Sequence, residues 1–362
     1  MATHTIGVND ALAVKLWSNR MDVEALKETT AYEFMGTGAG SLAQIMTETQ
    51  KGAGDSIKWG IRMLATGEGT TENETQEGNE EGLTRYSDVM VINELGHAHR
   101  VRAEGTIDRQ RVPYDMREEC YDSLKDWTAD RIDTWFFNQL AGYTATGVGI
   151  KYLGYNAAIA PSSGRIIRGG SGLTTDQAVQ GDTTAIFKLS MIDKAVNIAK
   201  TTSPMLRPIK GLGKDVDYVC FIHPNQTLSL RADVATVGNW FDLQGKRLQG
   251  GEKDSSGLYT GALGVYNRTL IVENNRVPLG VHSTTSASQS LVRRAIFCGA
   301  QALGVAFGKG GGKNKFKWVE ELFDYDRELG VRASFIGGMK KTVYNSVDYG
   351  TIVLPTYAAP AS

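Results

Sequence analysis

Residues 55–65 alternate with a period of two. Ile57, Trp59, Ile61 and Met63 fall on one side of an extended chain, and Ser56, Lys58 and Arg62 fall on the other. That spacing predicts a half-buried strand. Residues 86–95 (YSDVMVINEL) repeat the alternation more weakly and predict a second strand. Between them lies TGEGTTENETQEGNEEGLT, residues 66–84, with six glutamates, four glycines, no lysine or arginine, and Leu83 as its one large apolar residue. Such a segment has almost nothing to bury. Two strands joined by it predict a protruding hairpin whose solvated tip meets a partner outside its own domain. Loops of this length in compact domains are usually functional or disordered.

The period changes to helical after Pro113. From there to Tyr143, Tyr121, Leu124, Thr128, Ile132, Trp135, Phe136 and Leu140 form one apolar stripe. Pro113 reads as the first helical residue, acidic residues follow it, and Gly142 reads as the stop. About 29 residues at 1.5 Å each give roughly 43 Å, the length of a spine against which other layers pack. Trp127 and Trp135 read as core on that stripe rather than as a stacking surface. Upstream, residues 1–50 read as an exposed arm followed by helices over Asp10–Trp17 and Val23–Phe34.

Downstream, residues 143–188 show no period, are rich in Gly, Ser and Thr, and hold a small basic cluster, Arg165 and Arg168. Residues 189–200 predict an amphipathic helix with Ser190 and Asp193 spaced as a capping box. DYVCFIHP is a short continuous apolar run and predicts a buried strand, then a short helix after Pro224. Residues 234–264 read as loop. Residues 268–274, 293–308, 315–326, 330–345 and 348–355 read as strands, so the C-terminal third is mainly β.

Composition narrows the function. The chain has 362 residues, with 39 Lys+Arg against 40 Asp+Glu, 41% hydrophobic and 22% charged. The length corresponds to two or three domains. The charge balance argues against nucleic-acid binding by bulk charge. The apolar content argues against disorder. Cys120, Cys220 and Cys298 lack disulfide or zinc spacing and read as buried thiols in a reducing compartment. The N-terminus lacks a signal-peptide pattern, and no apolar stretch reaches the ~18–20 residues of a membrane span. A soluble, unsecreted protein is expected, and the three glycosylation sequons at Asn73, Asn225 and Asn267 read as chance.

Catalytic motifs are absent from the sequence. GKGGGKNK at 308–315 fails the phosphate-loop pattern, because Lys313 precedes Asn314 and the required upstream glycine is missing. The tip glutamates lack the spacing of a calcium loop. His97 and His99, two apart on a strand, would share a face and could share a metal, with Glu94 or Glu104 as a third ligand. A hydrogen-bonded pair at the hairpin base is the competing reading. His223 before Pro224 reads as structural.

The order arm, hairpin, spine helix, mixed region and β-rich end resembles the Hong-Kong-type capsid fold of tailed-phage major capsid proteins, and in particular the N-four-type phage branch. The likeness is carried by ALAVKLWSNRMDVEALKETTAYEFMG, GDSIKWGIRMLATGEG leading into VINELGHAHRV, PYDMREECYDSLKDWTADRIDTWFFNQLAG, DYVCFIHPNQTLSLR and GVRASFIGGMKKTVYNSVDYGTIVLPTYA. It implies an α+β fold with an N-terminal arm over 1–50, an extended hairpin loop over 51–112, and the spine helix with the start of the peripheral domain over 113–188. A mainly axial domain would follow over 189–310, and C-terminal peripheral-domain strands over 311–362.

The resemblance further implies a non-enzymatic, cofactor-free shell subunit of the virion, assembled in the host cytoplasm without a membrane. Pentamers and hexamers of it would enclose double-stranded DNA without sequence-specific contacts. A portal and a decoration protein would be partners. The arm begins almost at residue 1, so a separate scaffolding protein is expected. Glu68, Glu72, Glu74, Glu77, Glu80 and Glu81 are expected to meet Arg165, Arg168, Lys309, Lys313 or Lys315 of a neighbour. Some shells of this fold are cross-linked through a hairpin-tip lysine, but residues 66–84 contain none. The alternatives are an encapsulin-like nanocompartment shell and, in a different class, a metal-dependent enzyme using His97 and His99.

Overall fold

The computed structural model describes residues 21, 24–25, 29–47, 54–62, 67–82, 85–102, 106–111, 113, 115–212, 216–232, 262–309 and 315–360. Helix Asp10–Trp17 and most of the 234–264 loop lie outside these residues.

Helix α1 (Thr30–Glu33) precedes strands β1 (Met35–Gly36) and β2 (Ala43–Met46). The hairpin strands β3 (Ser56–Arg62) and β4 (Arg85–Val91) follow, then β5 (Asn93–Arg102) and helix α2 (Ile107–Arg111). The spine is helix α3 (Met116–Ala141). Short helices α4 (Ile150–Leu153) and α5 (Asp176–Gly181) and the longer α6 (Leu189–Thr201) lead to β6 (Tyr218–Ile222) and α7 (Pro224–Ala232). The remainder is β: β7 (Ala262–Tyr266), β8 (Thr269–Glu273), β9 (Leu279–Val281), β10 (Ser288–Cys298), β11 (Leu303–Phe307), β12 (Phe316–Phe323), β13 (Glu328–Lys341), β14 (Val343–Tyr344), β15 (Val347–Asp348) and β16 (Thr351–Tyr357).

Two six-stranded sheets carry the architecture. The first has the order β1-β2-β11-β13-β12, with β5 also paired to β13; the second has the order β16-β10-β6-β8-β7, with β9 on β10. The spine helix joins them. Tyr121, Leu124, Ile132, Trp135 and Phe136 pack with Phe316, Trp318, Val331 and Phe335 of the first sheet and with Val219, Phe221 and Ile296 of the second. The other face of the second sheet, Cys220, Ile222, Ala295 and Phe297, packs with Leu189, Ile192 and Val196 of α6. Being covered on both sides is why YVCFI reads as an unbroken apolar run.

The spine is 26 residues, about 39 Å, and shorter at its start than the sequence suggests. Asp115, not Pro113, caps it: its side chain accepts from Arg117 N, while Pro113 stands two residues earlier. Gly142 ends it as expected, in the left-handed region at φ 58°, where a Cβ would lie 2.2 Å from the Ile159 carbonyl oxygen. The α6 capping box does not form. Lys188 is the N-cap without a side-chain bond, and Asp193 instead accepts from Tyr266 OH and Asn267 Nδ2, both at 2.8 Å.

Two further readings change. Residues 293–308 are not one strand. The chain leaves the second sheet at Cys298 and enters the first at Leu303, turning at Gln301 with φ 56°. Both strands are buried, so the apolar run hides the crossing. A boundary at 310/311 therefore does not separate the sheets: β11 lies in the first and β16 in the second. Residues 29–47 are not a free arm either. Ala31, Phe34, Leu42 and Ala43 are buried in the main core, and β2 pairs in parallel with β11.

All three cysteines are free and buried, and burial pushes the Cys220 thiol up to about 12. No helix among the described residues is long and apolar enough to cross a membrane.

His223 is structural, as expected. It opens α7: its carbonyl accepts from Gln226 N and Thr227 N, and its ring Nδ1 accepts from Asn225 N at 3.1 Å. Burial, with a smaller push from Arg293, lowers its pKa from 6.5 to about 4. The folded state then binds fewer protons than the unfolded state, so stability is full above pH 6.5 and is lost as pH falls from 6.5 towards 4. Melting of the unassembled subunit should show this acid slope. His223→Asn, which keeps a capping acceptor but does not titrate, should flatten it; an unchanged slope would show that other groups set it.

Candidate inter-subunit interface

The hairpin is built as its alternation predicts. β3 and β4 pair antiparallel from Ser56↔Val91 to Arg62↔Arg85. Ile57 is buried, Trp59 is half-buried, and Ser56 and Lys58 face solvent. The apolar side lies on the first sheet. Ile57 and Met90 pack with Met46 and Ala306, and Trp59 packs with Tyr344 and Tyr349. The Trp59 ring lies 3.6 Å from where a Cβ on Gly304 would stand, so a glycine makes room for it.

Polar ties complete this root. Asn156 accepts from Val91 N at 2.9 Å and donates to Val91 O at 2.8 Å. The Asn156 carbonyl in turn accepts from Gln139 Nε2 of the spine at 2.7 Å. Lys340 of β13 pairs with Asp88 and donates to Val89 O at 2.8 Å. Gly338 lets the strands meet: a Cβ there would sit 2.5 Å from the Val91 carbonyl oxygen. The stem therefore has a partner in its own chain, as its half-buried alternation predicts, and only the tip projects without one. Nothing local in the sequence pointed to Asn156, Gln139 or Lys340, because each works through a partner distant in the chain.

The tip residues 67–82 form turns without strand or helix, and all but Thr70 are exposed. Three glutamates serve the tip itself: Glu81 accepts from Gly67 N at 2.7 Å, Glu74 from Thr71 N at 3.0 Å and Glu80 from Gly78 N at 2.9 Å. Glu68, Glu72 and Glu77 have no partner among the described residues.

The expected basic partners separate into three groups. Arg165 is fully buried, and its Nη2 donates to the carbonyls of Thr202, at 3.2 Å, and Pro204. It thus neutralises the carbonyl-rich C-terminal end of α6 within its own subunit. Arg168 is half-buried and pairs with Asp176 at 3.3 Å. Neither is a surface cation: the Gly-rich segment carrying them folds down over the second sheet through Ile166–Val353 and Gly169–Pro355 contacts. Lys309 is exposed, while the Lys315 ammonium lies 4.7 Å from the centre of the Phe307 ring. Lys313 lies outside the described residues.

His97 and His99 share a face of β5, and that face meets the spine helix. His97 stacks on Trp127 with centroids 4.8 Å apart, and His99 Nε2 lies 3.0 Å from Ser123 Oγ. Trp127 is thus half-buried beneath His97 and Arg131 rather than in the core, whereas Trp135 is fully buried. Glu94 stands on the opposite face, paired with Arg332 at 2.7 Å, and cannot join the two histidines. Glu104 lies outside the described residues. Among the described residues no group of three or more His, Cys, Asp or Glu is placed to hold a metal ion.

A family model described as phage capsid protein matches residues 5–360. The chain belongs to the phage capsid protein family. The capsid subunit is similar to the major capsid protein of Pseudomonas phage KPP25, 28% identical over 365 residues and covering 93% of each chain. It superposes on the capsid of Ralstonia phage GP4 with a TM-score of 0.78, 28% identity and full coverage of both chains. The cyanophage Pam1 capsid shares the fold at 17% identity, with a TM-score of 0.71 over 100% of this chain and 97% of that one. The capsid subunit has the tailed-phage capsid fold expected from the order of its elements.

Proposed function

We propose that this capsid subunit builds an icosahedral shell of pentamers and hexamers around double-stranded DNA, each hairpin tip packing on a neighbouring copy. The observation that carries this reading is the division of the hairpin into a stem held by its own sheet and a tip of exposed turns with three unpaired carboxylates. The subunit acts structurally, without catalysis or a cofactor, within the virion. A separate scaffolding protein, a portal and a decoration protein complete the proposal, with assembly in the host cytoplasm. Uniform, correctly sized shells from this chain expressed alone would remove the scaffolding protein from it.

Deleting Thr66 to Thr84 tests the central claim. The segment buries so little apolar surface that the subunit should keep its melting temperature to within a few degrees. Particle formation, counted by electron microscopy, should be lost or much reduced. Normal particles from the deletion variant would show that the tip is not an assembly contact.

A further inference from the structure

Beside the hairpin root lies a groove of about 490 Å³, walled by β2, β3, β11 and the turn before β11. Its apolar wall is Met46, Trp59, Leu303 and Tyr349. Gln44 and Gln301, hydrogen-bonded to each other at 2.9 Å, form part of the polar wall. Two cations border it, Lys58 on the solvent side of β3 and Arg207, both exposed and without an ionic or hydrogen-bonding side-chain partner among the described residues. Unlike Arg165 and Arg168, which are spent inside the subunit, these are positive charges at an open concave surface with no counter-charge among the described residues.

We infer that this groove receives the acidic hairpin tip of a second copy, with Lys58 and Arg207 meeting the carboxylates of Glu68, Glu72 and Glu77. The inference rests on the shell-subunit reading and names the receiving surface. Three observations select the occupant. First, the charges match: residues 66–84 carry six acidic and no basic side chains, and these three carboxylates are the ones not used in the tip's own turns. Second, the subunit's own hairpin runs away from the groove. Lys58 is the third residue of β3, and the four residues from there to Arg62 carry the chain roughly 13 Å away from it, towards the tip. Third, the other segments compete poorly. Residues 1–20 carry Lys15 and Arg20 against Asp10, the wrong sign, and residues 233–261 hold four acidic and three basic residues. A paired array of exposed charges of this kind fixes register and partner more than it adds affinity.

The test is charge reversal with rescue, in the full chain and under conditions where the wild-type chain assembles. Lys58→Glu with Arg207→Glu should leave the melting temperature of the unassembled subunit unchanged and lower particle yield at least tenfold. Adding Glu72→Lys and Glu77→Lys to that chain should restore particles. If the reversal variant fails to fold, Lys58→Gln with Arg207→Gln decides. Its particle yield should fall, and its assembly should lose much of the wild type's salt dependence, because exposed charge pairs are screened by salt. Wild-type yield from either folded double variant would overturn the inference. If tip deletion abolishes particles while the double variants assemble normally, the groove is wrong and the shell reading stands. If the deletion also assembles normally, the groove and the tip contact both fail and only the shell itself stands.

Discussion

Trp135→Ala should lower the stability of the unassembled subunit by about 3–5 kcal/mol, the range for deleting a large aromatic from a packed core. Trp135 is 1% exposed. Its ring packs against Phe335 of the first sheet at 5.5 Å between centroids, and its Nε1 donates to the Lys151 carbonyl at 2.8 Å. Truncation removes the link between the spine, the first sheet and the segment after the spine, and leaves the Lys151 carbonyl without its donor. Trp127→Ala is the control. That ring is only half-buried, against His97 and Arg131, so its loss should be no more than about 1–2 kcal/mol. Denaturant unfolding of chains lacking the tip would measure both without interference from assembly. Equal effects at the two positions would refute the division into core and surface rings.

The second large effect should come from Asp348. Lys341 of β13 and Asp348 of β15 form an ion pair at 2.8 Å, exposed to 0% and 1%. Burial lowers the Lys341 pKa, and the Asp348 carboxylate opposes that shift. Asp348 also accepts from Ser162 N at 3.2 Å. Asp348→Ala leaves a buried ammonium with no counter-charge, with the buried Arg165 also close enough to feel Asp348. Removing one partner of a buried pair costs about 3–5 kcal/mol, while replacing both by apolar groups is often neutral. Asp348→Ala should thus melt far below wild type, and Lys341→Met with Asp348→Ala should recover most of the loss. A single variant as stable as wild type would show that the pair does not hold the end of β13.

Much of this was legible in the sequence because the relevant signals are local. The two-residue alternation around Trp59, the absence of apolar side chains in the tip and the 3.6-residue stripe of the spine each follow from short-range geometry. The order of these elements was enough to point to the fold. What failed depends on pairs far apart in the chain. Arg165 and Arg168 look exposed on glycine-rich chain, and only tertiary structure supplies Thr202, Pro204 and Asp176 as their partners. Trp127 sits at nearly helical spacing from Trp135, yet the stripe is wide enough for one ring to turn inward and the other to lie beneath His97. The switch between sheets after Cys298 is invisible because both strands are equally apolar. Lys58 was visible as a stem residue, but its place beside Arg207 was not, since 149 positions of chain separate them.

One residue, Ile92, separates the hairpin strand β4 from β5, and its amide is itself bonded to the Asp55 carbonyl at 2.8 Å. There is no slack between them. β5 is paired with the central strand β13 over ten antiparallel residue pairs, from Asn93↔Gly337 to Arg102↔Glu328. Tension applied at a tip held by a neighbour would run along β4 into the axis of β5 and stress those rungs together, in shear, instead of peeling them one after another. The hairpin is then a tether spliced into the longest ladder among the described residues, and its mechanical limit is set by that ladder rather than by the two-stranded stem.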